Sequence, residues 1–152
     1  MKKIILLLLL VSSVAMNAQE LTWHTDVNKA SELSIKNKKP LMLFFTGSDW
    51  CGWCIKLQRE VFKTPEFTKW AKENVTLVEL DFPRRKQLAP ELLLQNKNLE
   101  QMFAVRGYPT VWFVTPALVN GQMTFNRLGS TGYVANGPAG WLPGANQILA
   151  NK

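Results

Sequence analysis

The chain has 152 residues, of which 47% are hydrophobic and 19% are charged, and its formal net charge is +7 at pH 7. This composition excludes an intrinsically disordered chain, and the length suffices for one domain that buries its own core. Two cysteines cannot build a disulfide framework, and with a single histidine they cannot supply the four ligands of a structural zinc site.

The first 19 residues have the three-part layout of a secretory signal peptide. Lys2 and Lys3 precede an apolar run at 4–11, and small and polar residues follow it. Spanning a bilayer takes about 20 apolar residues, so we favour a signal cleaved after Ala18 or Gln19 over a membrane anchor. We expect residues 20–152 to form one exported, monomeric domain without stable membrane insertion, in the periplasm if the source is a Gram-negative bacterium.

The first half of this domain shows alternating strand and helix patterns. A short strand at 21–23 precedes a helix that Asp26 caps and that runs to about Lys39. Residues 41–46 are typical of a strand buried on both faces. A second helix is predicted to begin near Cys51, to break at 64–65 and to continue to about Glu73.

The second half continues the alternation. We predict a strand at 75–82, a helix from Pro90, and two strands, 111–115 and 122–128, joined by a hairpin turn. The segment 129–144 is rich in glycine and proline and carries no predicted element, and a short helix is expected at 146–151. This order predicts an α/β domain with a central mixed sheet flanked by helices.

A basic cluster, Arg84, Arg85 and Lys86, follows the predicted strand 75–82. Such a cluster fits a solvated loop, or a surface that steers acidic partners. Basic residues elsewhere are scattered and do not alternate with aromatic ones, so no nucleic-acid partner is expected.

Trp50, Cys51, Gly52, Trp53 and Cys54 form a Cys-x-x-Cys motif between a buried strand and a helix. We expect Cys51 in the first helical turn, where free N–H groups and the helix dipole stabilise the thiolate that attacks disulfides. Cys54 would be the more buried cysteine, able to close a disulfide with Cys51 and to resolve a mixed disulfide with substrate. Gly52 reduces crowding for an approaching partner, and the two tryptophans offer an apolar collar for an extended peptide.

These residues, together with Gly107-Tyr108-Pro109-Thr110, resemble the thioredoxin superfamily over roughly 23–128. The segments 44–58 and 80–83 are similar to exported thioredoxin-like oxidoreductases of the DsbH type, and the first also resembles the C-terminal domain of DsbD. The resemblance implies a thioredoxin-like fold with Cys51 as nucleophile, Cys54 as resolving thiol and Pro109 as a cis-proline facing the disulfide. It also implies that the backbone of Tyr108 pairs with substrate as an added strand.

Two departures from the thioredoxin pattern affect the site. Trp53 stands where most thioredoxins have proline, so the redox potential does not transfer directly. Six residues before the nucleophile, where thioredoxin keeps a buried Asp as proton acceptor, this chain has Phe45. Water or another carboxylate must then deprotonate Cys54, and Glu79 and Asp81 are the candidates, against an ordinary role at a strand end or surface.

The resemblance implies a thiol-disulfide oxidoreductase that reduces disulfides in protein substrates and receives electrons from a membrane thiol donor of the DsbD kind. An isomerase or an oxidant would use the same two cysteines, and a non-catalytic peptide-binding module would use the aromatic surface instead. We expect no cofactor beyond the redox-active cysteine pair and no metal site, since Cu(I) delivery would need further soft ligands near the motif. Asp49 is expected to be exposed at the turn, and His24 is assigned no role beyond a surface or capping residue.

Overall fold

A five-stranded mixed sheet in the order β1-β3-β2-β4-β5 forms the centre of the computed structural model, which describes residues 20–152. The predicted signal segment, 1–19, lies outside the described residues. The strands are β1 Trp23–His24, β2 Leu41–Thr46, β3 Thr76–Asp81, β4 Thr110–Val119 and β5 Gln122–Thr131. β2 runs parallel to β3 and antiparallel to β4.

Within residues 20–152, five α-helices cover the sheet, and a π-helical segment, Gln58–Phe62, directly continues the second of them. The helices are α1 Val27–Asn37, α2 Gly52–Leu57, α3 Pro65–Asn74, α4 Pro90–Met102 and α5 Gly137–Leu149. The predicted fold class, a mixed sheet flanked by helices, is therefore confirmed.

β2 separates two hydrophobic cores, because all six of its residues are buried and alternate side chains point to opposite faces. Met42 and Phe44 join the core under α2, α3 and α5, which also contains both cysteines. Leu41, Leu43 and Phe45 join the second core, under α1 and α4. Both cysteines therefore pack on the face of β2 that carries Met42 and Phe44.

Local signals set the ends of several elements as the sequence predicts. The Asp26 carboxylate accepts the N–H groups of Asn28 and Lys29 at 2.9 and 3.1 Å and begins α1. Lys38 adopts the left-handed conformation, with φ 55°, and ends the helix just before the predicted limit. Asn120 and Gly121, both with positive φ, form the predicted hairpin turn, although its strands extend further than expected.

The expectation for the C-terminal segment is wrong. α5 begins at Gly137, not at 146, and contains Pro143 in its interior. Its buried positions, Trp141, Ala145 and Leu149, recur every four residues and pack into the core that contains the cysteines. Burial of such a face, at about 1.5–3 kcal/mol for each large side chain, outweighs the helix-breaking tendency of proline and glycine. Among residues 20–152, no helix has the length and apolar character needed to cross a bilayer.

Candidate active site

Cys51 and Cys54 form a disulfide at the start of α2, with their Cα atoms 5.2 Å apart. Cys51 is the N-cap of the helix, one residue before the predicted first turn, and its Sγ accepts the backbone N–H of Cys54 at 3.2 Å. Because unpaired N–H groups at a helix N-terminus favour negative charge, this position suits a thiolate in the reduced form. Cys51 is 6% exposed and Cys54 is fully buried, in the predicted order.

A tight turn after β2 presents Cys51 at the end of the sheet. The carbonyl of Gly47 accepts the N–H groups of Trp50 at 3.2 Å and Cys51 at 2.8 Å. A Cβ atom at Gly47 would overlap the indole ring of Trp50, so only glycine allows this packing. The close packing of the Trp50 indole against Gly47 therefore holds the turn in place directly before Cys51.

Asp81, at the end of β3, connects this turn to the neighbouring strand. Its carboxylate accepts the N–H of Ser48 at 2.9 Å and the Ser48 hydroxyl at 2.6 Å, and it lies 3.0 Å from the ammonium of Lys86. With three donors on a buried carboxylate, Asp81 has contacts that suit a structural strand-end residue.

Glu79 lies two residues earlier on the same face of β3 and has different surroundings. It is half-buried and has no hydrogen-bond partner within residues 20–152. Burial, and next the charge of Asp81, raise the pKa of the Glu79 carboxyl. Its side chain lines a cavity of about 550 Å³ together with Trp23, Phe44 and Gln58.

The assignment of Phe45 to the acid position of thioredoxin is wrong by one residue. Phe45 points into the core under α1 and α4, whereas Phe44 lies on the face that carries Cys54. Counting six residues back from Cys51 crosses a turn whose shape the sequence does not specify, so the count ends on the opposite face. Both positions hold phenylalanine, and β2 therefore offers no carboxylate beneath the disulfide.

One wall of the site is a tightly connected aromatic group, Trp50, Phe82 and Tyr108. The Nε1–H of Trp50 donates to the carbonyl of Phe82 at 2.8 Å, and the rings of Trp50 and Tyr108 meet edge to face at 5.9 Å. The Tyr108 ring stacks on Phe82 at 5.3 Å, and its hydroxyl donates to Glu100. Burial, and next the bond to Glu100, raise the pKa of Tyr108. The Tyr108–Pro109 peptide bond is cis, as the resemblance implies.

The opposite wall is more open. Trp53 is 57% exposed, and its ring contacts Tyr133 at 5.1 Å. The ammonium of Lys56 lies 5.1 and 5.0 Å from the centroids of these two rings. A Cβ atom at Gly52 would meet no heavy atom within 4 Å, so the surface beside the disulfide is clear.

Tyr133 and the basic cluster border this site through contacts with Trp53 and Trp50, which the sequence does not predict. The Tyr133 hydroxyl donates to Glu60 at 2.6 Å, and this bond lowers the pKa of Glu60. Tyr133 lies 80 residues from Trp53 in a segment without periodic pattern, so no sequence signal identified it. Asp49 is not simply exposed: hydrogen bonds from the backbone N–H groups of Arg84 and then Arg85 hold its pKa below the ordinary value.

Residues 20–152 contain no group of three or more His, Cys, Asp or Glu side chains placed to hold a metal ion. His24 lies on the edge strand β1. The chemistry that the described residues offer is therefore centred on the two cysteines.

Comparison with known proteins relates the chain to one family. Residues 27–135 match the model of the thioredoxin-like domain. The chain is 35% identical over 119 residues to a Chlamydia pneumoniae protein named disulfide bond reductase DsbH, covering 78% of this chain and 71% of that protein. It is 28% identical over 116 residues to the thioredoxin-related protein DsbJ of the same organism, covering 76% of this chain but 32% of DsbJ.

Solved structures give a consistent result. A DsbH oxidoreductase matches with a TM-score of 0.79 and 30% identity, over 94% of each chain. A thioredoxin from Thermus thermophilus matches with a TM-score of 0.61 and 16% identity, over 84% of this chain and 86% of that one. Because the Thermus thermophilus protein is only 16% identical, its similarity concerns the fold alone.

Proposed function

We propose that this chain, which belongs to the thioredoxin-like family and is a thiol-disulfide oxidoreductase, reduces disulfide bonds in exported protein substrates. The observation that carries the proposal is the Cys51–Cys54 disulfide at the start of α2, in which Cys51 is slightly exposed and Cys54 is fully buried. The name of the 35% identical relative, a disulfide bond reductase, supports the direction of electron flow.

In the proposed reaction, the Cys51 thiolate attacks one sulfur of a substrate disulfide. A bond forms between Cys51 and that sulfur, and the other substrate sulfur leaves as a thiolate and takes a proton from solvent. Cys54 then loses its proton and attacks Cys51 Sγ, which releases the second substrate sulfur as a thiolate. The substrate gains two electrons, and the Cys51–Cys54 disulfide is formed again without any other cofactor.

Glu79 is the better of the two proposed proton acceptors for Cys54. Its raised pKa lies closer to that of a thiol, and a base is most effective when the two values approach each other. Within the described residues, the Glu79 carboxylate accepts no hydrogen bond that would compete with this role. The cavity that Glu79 lines is also lined by Gln58, which lies one helical turn after Cys54. Water in that cavity would carry the proton. Asp81, by contrast, already accepts from Ser48 and Lys86.

The proposed substrate site is the surface around the disulfide. The backbone of Tyr108, ahead of the cis-Pro109, would pair with an extended substrate segment. Trp50 and Trp53 flank the same opening, and the clear space at Gly52 admits the substrate chain. Because backbone pairing does not read side chains, such a site accepts substrates of varied sequence.

A reductase of this kind must be reduced again after each turnover. We propose that a membrane thiol donor of the DsbD kind attacks the oxidised pair at Cys51. Residues 1–19 would direct export, to the periplasm if the source is a Gram-negative bacterium, and residues 20–152 would act as a single monomeric domain.

The reduction potential of the cysteine pair tests the proposed direction. Purified protein is equilibrated with thiol buffers of graded composition, and tryptophan fluorescence reports the oxidised fraction. We expect a value near that of thioredoxin, about −270 mV, whereas a value near that of DsbA, about −120 mV, would make the chain an oxidant. Matched variants test the roles of the sulfurs: Cys54→Ser should accumulate mixed disulfides with substrate, and Cys51→Ser should form none.

A further inference from the structure

The basic loop 83–86 is fixed to the residues that precede Cys51. The two oxygens of Asp49 accept the backbone N–H of Arg84 at 2.9 Å and of Arg85 at 2.7 Å. The carbonyl of Phe82, just before the loop, accepts the indole N–H of Trp50. These bonds place the loop beside the disulfide rather than leaving it as a solvated connection.

The side chains of this loop divide into two groups. Lys86 is paired with the buried Asp81, and this contact raises the pKa of Lys86. Arg84 and Arg85 are exposed and have no ion-pair partner within residues 20–152. The nearby carboxylates, Asp49 and Asp81, already accept hydrogen bonds from the loop and from the turn. Asp49 keeps its negative charge close to Arg85, while Asp81 is balanced by Lys86. The two guanidinium groups therefore outnumber the remaining carboxylate, and this edge presents a net positive charge to a partner.

Trp50 holds one of these groups in a defined position. The Arg84 guanidinium lies 3.7 Å from the centroid of the Trp50 ring. Stacking on an aromatic face leaves the N–H edges of a guanidinium free to donate, and their fork matches the two oxygens of a carboxylate. The residue before the nucleophile thus carries a cation positioned for an anionic group.

We propose that Arg84 and Arg85 form a cationic rim that binds an acidic segment next to the disulfide of a protein substrate. The proposal rests on the reductase function above and adds a substrate class to it. Backbone pairing at Tyr108 accepts many sequences, and the cationic rim would select among them by charge. Paired carboxylates in the substrate would raise the rate of encounter and hold its disulfide near Cys51.

Three disulfide-bridged peptides test this proposal. They share one core sequence and differ only in the residues flanking the disulfide, which are Glu, Gln or Lys. At low ionic strength we expect reduced protein to act on the Glu peptide about tenfold faster than on the Lys peptide, with Gln between them. In 1 M salt, where the Debye length falls to about 3 Å, the ratio should approach one.

Variants assign the effect to the two arginines. Arg84→Gln/Arg85→Gln should reduce the Glu-to-Lys ratio to about twofold or less, and Arg85→Gln alone keeps the Arg84 contact with Trp50 while lowering the ratio partly. The matched control is Lys69→Gln/Lys97→Gln, which removes two exposed charges on α3 and α4. This control should keep the full ratio.

The outcomes separate the cationic rim from the reductase function. Equal rates for all three peptides would overturn the rim and leave the reductase proposal intact. If no peptide is reduced, the reductase proposal fails. The cationic rim is then tested separately, by measuring how tightly the oxidised protein binds the same peptides with Ala in place of Cys. Equal binding of the Glu and Lys forms would then overturn it. Arginine-dependent binding to phosphatidylglycerol vesicles without peptide preference would assign the loop to a membrane surface instead.

Discussion

The two tryptophans that flank the disulfide are held in different ways. Trp50 donates a hydrogen bond to Phe82, meets Tyr108 edge to face, and lies under the guanidinium of Arg84. Trp53 is mostly exposed; its ring contacts Tyr133, and the ammonium of Lys56 lies over it. A fixed wall can position the reacting sulfur, whereas an open wall can adjust to substrates of different shape. One wall of the site thus positions the reacting sulfur, and the other wall adjusts to the substrate.

Substitution of Trp50 is the strongest test of this comparison. We expect Trp50→Ala to lower the free energy of unfolding by about 2–3 kcal/mol, because it leaves a gap between the turn and Tyr108 and an unpaired Phe82 carbonyl. Peptide reduction should fall by about a hundredfold, since the turn that carries Cys51 loses its support. Urea unfolding and initial rates measure both effects. Trp50→Phe, which keeps a ring, should lie between the two proteins.

Glu79, in the cavity lined by Trp23, Phe44 and Gln58, gives the next largest expected effect. Glu79→Gln should slow resolution of the mixed disulfide about tenfold, with the fold and first attack retained. Stopped-flow fluorescence separates these two steps. An unchanged resolution rate would leave water as the acceptor of the Cys54 proton.

The same variant should change the pH dependence of stability. The folded pKa of Glu79 is raised above the ordinary value of 4.5, so folding favours the protonated form. Its contribution is fully present below pH 4.5 and is lost as pH rises through the folded pKa. Glu79→Gln should remove this loss. Unfolding curves measured from below pH 4.5 to above the folded pKa provide the test. Identical pH profiles for Glu79→Gln and the original protein would contradict the raised pKa of Glu79.

Trp53 should give the smallest effect. Because its ring is mostly in solvent, Trp53→Ala should change stability by less than about 0.5 kcal/mol. The KM for peptide substrates should rise about threefold while kcat stays near its original value, as expected when only uniform binding is lost. If Trp53→Ala proves as damaging as Trp50→Ala, the distinction between a fixed and an open wall is wrong.

Local signals in the sequence identified the reactive centre and much of the sheet. The apolar run of β2, the Asp26 cap and the Cys-x-x-Cys spacing each depend on neighbours within a few residues, so a single sequence contains them. Counting six residues back from Cys51 led to Phe45, which lies on the face of β2 away from Cys54, because register across a turn depends on the turn's shape. A one-residue error of this kind moves a side chain to the other side of the sheet.

Long-range packing explains the remaining differences. The helix around Trp141 is stabilised by the core it covers, whereas its own glycines and prolines predict a break. Tyr133 meets Trp53, and Arg84 meets Trp50, across long separations in sequence. Propensities carry no information on such contacts, and for that reason the positions of Tyr133 and Arg84 beside the predicted tryptophans required the structure.

The complete burial of β2 has a consequence for how the protein responds to oxidation and reduction. Its amides lie between two paired strands and two cores, so they should be among the last to exchange with deuterium. The reactive turn begins directly after this strand. Deuterium exchange should therefore show a protected, redox-insensitive strand followed by a turn whose opening rate changes with the state of the two sulfurs.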